Sequence, residues 1–197
     1  MYKSTLALAV AATVLAQYVG ASGFAEDAKA TLGLRNLYNN TDNRDHAASH
    51  TPGVKSKNTV WGQGFDLRFI SGYTQGTVGV GLDAIGLLGV NLDSDDATAF
   101  PSKSNGEAVD EFSSLGLTAK AKVLQSELKV GTLQPKLPVI ITNDGRVLPQ
   151  TWQGGQITSN DIEDLSLVGG QIEAVKGRNS SDTERMSISG ANSPTAS

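Results

Sequence analysis

The chain has 197 residues, a formal net charge of −4 and no cysteine, which excludes a disulfide framework, a thiolate metal site and a basic field for nucleic acid. Hydrophobic residues make up 39% and aromatic residues 6%, low for one packed core, whereas glycine is abundant at 22 residues.

The first element in chain order is an export signal. Lys3 supplies the positive charge, and Thr5 to Ala16 ("TLALAVAATVLA") supply an apolar run too short to span a bilayer as a helix. The small residues of "GASGFA" then offer cleavage after Ala21 or Ala25, so residues 1–25 read as a signal peptide and 26–197 as the exported body. Without disulfides, that body depends on backbone pairing and burial for its stability.

Period two begins in "ATLGLRNLYNN". Leu32, Leu34 and Tyr38 share one face, and Thr31, Gly33, Arg35 and Asn39 take the other. A polar insertion from Asn40 to Thr59 follows, holding His46 and His50 beside Asp45. A solvated loop describes it better than a metal site does. In "WGQGFDLRFIS", Trp61, Phe65, Leu67 and Phe69 oppose Gly64, Asp66 and Arg68. After the short turn Ser71–Gly76, the run Gly76–Asp93 sets Val78, Val80, Leu82, Leu88, Val90 and Leu92 against Gly79, Gly81, Asp83, Gly89 and Asn91. Ile85 and Leu87 break its pattern. Fully extended, this run would reach ~60 Å, more than a bilayer core of ~30 Å. Part of it must therefore project, or Gly86 and Gly89 must bend it.

An acidic insertion from Asp93 to Phe112 comes next. "SLGLTAKAKV" then places Leu115, Leu117, Ala119, Ala121 and Val123 opposite Gly116, Thr118, Lys120 and Lys122. "ELKVGTL" sets Leu128 and Val130 against Lys129 and Gly131. From Gln134 to Ser159, three prolines and an "NDG" turn predict one long loop, a length usually reserved for function. Short alternating runs at "DLSLVGGQIEAV" and "RMSISGA" bring the total to about seven strands.

The second face decides the class. It carries glycines and isolated Arg35, Arg68, Lys120, Lys122 and Lys129, basic residues in an acidic chain, while the acidic residues gather in loops. That separation, with short turns alternating with long loops, predicts an all-β, antiparallel up-and-down transmembrane barrel with lipid on the apolar face and a cationic interior. Edge-strand lysines that keep a sheet soluble are the alternative source of such charges. A secreted β-sandwich for adhesion or binding is the competing architecture, and it would leave Phe65, Leu67, Phe69, Val78, Val80 and Leu82 in water. No G-x-S-x-G elbow, H-E-x-x-H or P-loop occurs, and no histidine lies outside Asn40–Thr59 to act as a base. Neither an enzyme nor a cofactor is expected.

Together "LRNLYNN", "WGQGFDLRFISGYTQGTVGVGLDAIGLLGVNLDS", "GLTAKAKV", "LKVGTLQPKLPVI" and "GRVLPQTWQGGQITS" resemble the OprD-type outer-membrane porins of Gram-negative bacteria, from about Gly23 to Gly190. The resemblance implies a single-chain barrel of roughly sixteen to eighteen strands, sited in the outer membrane. It implies passive uptake of small solutes, often carboxylates and amino acids. It makes the 134–159 segment a loop folded into the lumen, and Arg146 the family's loop arginine, facing a substrate carboxylate at the constriction. Arg35, Arg68, Lys120 and Lys122 would belong to a basic track along the wall, with Asp83 among the lining residues. In a second reading those cations pair with Asp66, Asp83 or other carboxylates and brace the wall; Lys129 fits that reading better. The expected partners are outer-membrane lipid and small anionic or zwitterionic solutes, with homo-oligomerisation left open. "NNTDNRD" carries an insertion relative to the family, which leaves Arg44 without a clear counterpart. The resemblance stops near Gly190, at about half the family's length, so the chain reads as a fragment or a frame-shifted product. Half a barrel would leave unpaired backbone at its edges in lipid.

Overall fold

The computed structural model describes residues 22–42, 57–94 and 98–186. The apolar core of the signal sequence, Arg44, His46, His50 and the residues after Met186 lie outside that range. A short helix α1 (Ser22–Glu26) precedes β1 (Lys29–Asp42), β2 (Lys57–Ile70), β3 (Gly79–Asn91), β4 (Glu111–Val123) and β5 (Ser126–Leu133). A small hairpin follows, β6 (Lys136–Leu137) with β7 (Ile140–Ile141), and then β8 (Thr151–Ile162), β9 (Leu165–Lys176) and β10 (Thr183–Arg185).

One antiparallel sheet of eight strands, in the order β1-β2-β3-β4-β5-β8-β9-β10, holds everything but the β6–β7 hairpin. Among the described residues the other sheet is the two-stranded β6–β7 hairpin, too small to form the second layer of a sandwich, so the sandwich alternative fails. The strands curl into a half-barrel: a single cavity is lined from Arg68 on β2 to Gln156 on β8. β1 to β4 have 13 or 14 residues, about 43–46 Å at 3.3 Å per residue, which crosses ~30 Å of hydrocarbon at a tilt near 45°.

Two expectations change in the sheet. The run from Gly76 is not one long strand. The turn extends through Val78 and β3 begins at Gly79, which removes the excess length. The loop expected over 134–159 ends at Gln150, because Thr151–Ile162 is a strand paired to both β5 and β9. This is the strand that a total of about seven omits.

The outer face is bare and apolar. Leu34 is 65% exposed and Leu115 59%, and Leu32, Leu67, Val80, Leu117, Val130, Ile157 and Leu167 are exposed with them. The inner face carries Gly62, Gly64, Gly81, Gly89 and Gly116, and its core lies under loops rather than between sheets. Val60, Leu87 and Phe112 from the strands pack with Ala99, Phe100 and Ala108 of the β3–β4 loop and with Val147 and Leu148 of the β7–β8 loop. Phe100 meets Phe112 edge-on at 5.7 Å. Ile85 and Leu87, the two residues that break the alternation of β3, face this apolar plug.

Candidate functional site

Gly64 and Arg35 are cross-strand partners on the inner face. A Cβ on Gly64 would stand 2.3 Å from the carbonyl oxygen of Val147, so only glycine lets the β7–β8 loop lie this close to the wall. The loop is closed at its base by Asn143 and Gln150: the Gln150 amide donates to the Asn143 carbonyl at 2.9 Å, and the Asn143 amide donates to Gln150 Oε1 at 3.2 Å. The side chain of Asn143 also accepts from the Gly145 amide at 3.1 Å, the turn that "NDG" predicts.

Arg35 grips the tip of this loop. Its Nη1 donates at 2.7 Å to the Asp144 carboxylate, the Asp144 carbonyl and the Arg146 carbonyl, and its Nη2 donates at 2.9 Å to the other carboxylate oxygen. Arg146 is partly buried, and its guanidinium makes no hydrogen bond or ion pair among the described residues. Burial and, after it, the charge of Arg178 draw the Arg146 guanidinium below its ordinary pKa. The Arg178 guanidinium comes within 3.1 Å of where a Cβ on Gly145 would stand. Arg146 and Arg178, neither paired with a carboxylate among the described residues, therefore sit together at the loop tip.

The remaining residues singled out in the sequence gather in two other places. Arg68 pairs with Asp66, two positions away on β2, at 2.6 Å. Near the short-turn end, Lys120 is almost fully buried. It pairs with Asp83 at 2.6 Å, donates to the Ser71 carbonyl at 2.6 Å and lies 4.8 Å from the centre of the Tyr73 ring. Asp83 also accepts from the Ser71 amide at 3.2 Å. Lys122 lies 5.9 Å from the same ring centre, and Lys129 pairs with Glu127 at 2.8 Å. The Tyr73 hydroxyl donates to the Glu127 carboxylate. Burial, then that bond, pushes the Tyr73 phenol above its ordinary range, so it stays a neutral donor at working pH. The structure thus joins Asp83 to Lys120 by an ion pair and Lys120 to Lys122 through Tyr73, brings Arg35 and Arg146 together at the loop tip, and leaves Arg68 with Asp66.

Between these ends, an open cavity of about 460 Å³ lies on the inner face beneath the β6–β7 hairpin. Arg68, Asp83 and Lys129 line it on the wall side, with Leu133, Lys136 and Leu137 across from them. Asp144, Tyr73, Glu127 and Arg178 belong to these clusters although the alternation does not single them out. Asp144 carried a legible signal as the charged residue of the "NDG" turn, one position from Gly145. Arg178 lay in a polar turn with nothing in its neighbours to mark it.

Residues 22–197 match the family described as "outer membrane porin, OprD family". The porin-like protein GalP of Pseudomonas putida is 41% identical over 192 residues, 95% of this chain and 45% of its own length. The crystal structure of OccK8 (OprE) from Pseudomonas aeruginosa is 58% identical and superposes with a TM-score of 0.75, covering 89% of this chain and 40% of that one. OpdK of the same organism, crystallised with vanillate, is 44% identical with a TM-score of 0.71, over 82% of this chain and 40% of that one. The chain therefore spans less than half the length of each of these relatives. Its sheet, its inward loop and the sequence match agree: the chain belongs to the OprD family of outer-membrane porins.

Proposed function

We propose that this chain supplies part of the wall and the constriction loop of a channel for passive diffusion of small organic anions and zwitterions, carboxylates and amino acids among them, across the outer membrane. The observation that carries the reading is Arg146. It is a partly buried guanidinium without a counter-ion among the described residues, on a loop folded over the inner face of a sheet whose outer face is apolar. Such a group keeps its charge at any working pH and holds a carboxylate by two parallel hydrogen bonds. Arg178 beside it adds a second positive charge. The vanillate bound in the OpdK crystal, itself an organic carboxylate, supports the same chemistry. The paired cations Arg68 and Lys120 serve mainly to brace the wall, because Asp66 and Asp83 already neutralise them. Rapid flux requires each site to release what it binds, and two arginines exposed to water on one side meet that requirement.

The test is the reversal potential of the channel in planar bilayers under a salt gradient, for the parent and Arg146→Ala. The proposal predicts that anion preference falls and that organic carboxylates block the current less. Unchanged preference would remove Arg146 from the permeation path.

A further inference from the structure

We infer that Arg35 is a positioning residue: through Asp144 it latches the constriction loop to the barrel wall and sets where Arg146 stands. The inference rests on the transport reading for its meaning and on geometry for its content. Four acceptors converge on one guanidinium. Two are the Asp144 carboxylate oxygens, and two are backbone carbonyls, of Asp144 and of Arg146. A cation that only lined the channel would present its donors to solute. Here three contacts of Nη1 and one of Nη2 are spent on the loop itself. One of the gripped carbonyls belongs to Arg146, so the latch acts on the residue whose side chain carries the free charge.

The latch has a defined reach. Val147 and Leu148 are buried in the plug, and the Asn143–Gln150 pair closes the loop's base. Those contacts hold the loop as a whole without Arg35. Within residues 144–146 the Gly145 amide is held locally by the Asn143 side chain, but Asp144 and Gly145 are exposed and the Arg146 side chain has no partner among the described residues. Arg35 is what ties the tip to the wall. The cross-strand pair divides the work: Gly64 admits the loop backbone and Arg35 fixes it.

Asp144→Asn separates this role from that of a lining cation, because it removes a negative charge and leaves every cation in place. A latch predicts faster amide exchange and faster tryptic cleavage at Arg146, by about tenfold, for the loss of a charged, bidentate contact. Val147, Leu148 and the strands should exchange as in the parent. Arg35→Met should do the same, and the double variant should be no looser than either single one. Exchanging the charges, Arg35→Asp with Asp144→Arg, should restore part of the protection. In bilayers, Asp144→Asn should raise current noise and lower anion preference, although it makes the chain more positive. If Arg35 is a lining cation, freeing it raises anion preference and leaves noise alone. Parent-like exchange at 144–146, or exchange raised equally across the strands, overturns the latch. A loosened tip in a chain that carries no current keeps the latch and removes the transport reading.

Discussion

Gly64 and Lys120 show how much a single inner-face residue can decide. At Gly64 any side chain meets the Val147 carbonyl. Gly64→Val should lift the loop and open the plug, at about 1–3 kcal/mol for overpacking. The check is a lower urea midpoint in detergent together with raised exchange at Val147 and Leu148. Lys120 is the opposite case, a buried charge with its partner in place. Lys120→Met leaves Asp83 without its cation and should cost about 3–5 kcal/mol, while Lys120→Met with Asp83→Asn should recover most of that loss. Equal losses in the single and double variants would show that the pair is not coupled. The contrast was only partly legible in the sequence. Alternation places Lys120 and Asp83 on one face, which fits both a lining role and a pair that braces the wall, and does not choose between them. What pairs them is the register, which sets Asp83 opposite Thr118 and Gly81 opposite Lys120, so that the lysine reaches diagonally.

At the scale of elements, alternation succeeds where a strand keeps one phase and fails where it changes phase. Lys129 and Thr132, three residues apart on β5, line the same cavity, so the strand switches faces between them. Gly131, at φ 130°, makes the switch in a backbone conformation that side chains rarely adopt. Next to it, the β8–β9 pairing shifts register between Gln153 and Gly154. β8 therefore has no single apolar phase: Trp152 and Ile157 fall on opposite parities, and the segment read as loop. The bulge predicts its own test. Gly131→Val should impair assembly of β5 with β4 and β8, seen as loss of the heat-resistant folded band in detergent gels, whereas Gly155→Ala, with ordinary space around it, should not. A folded, parent-like Gly131→Val would show that the switch does not need glycine.

The N-terminal element carries a processing prediction. The Phe24 carbonyl accepts from the Gly72 amide at 2.9 Å, which docks α1 on the β2–β3 turn. A cut after Ala25 would discard that contact, and a cut after Ala21 keeps it. Mass spectrometry of the exported chain should find a mature end at Ser22; an end at Glu26 would show that the docking has no part in the mature protein.

On the scale of the whole molecule, the two faces of the sheet differ in character, one apolar and exposed, the other carrying the paired cations. Alternation made this division legible early, from Leu34 against Arg35 and Val80 against Gly81. The breaks in it, Ile85 and Leu87, were legible as exceptions but not as a seat. Their partners Phe100, Val147 and Leu148 lie in loops whose fold no period announces. The edges at β1 and β10, unpaired among the described residues, also belong to this scale, since in hydrocarbon each unpaired backbone group costs several kcal/mol and needs a partner strand.

We propose that the apolar face touches lipid while the glycine-and-cation face borders water. Because the chain has no cysteine, single cysteines can be placed freely and spin-labelled in reconstituted bilayers. The account predicts that labels at Leu34, Val80, Leu117 and Val130 collide with oxygen dissolved in the lipid. Labels at Thr118 and Gln156 should collide with a water-soluble nickel complex, so that accessibility alternates along each strand. Labels from both sets that meet the aqueous probe equally, or an alternation with the opposite sign, would contradict it.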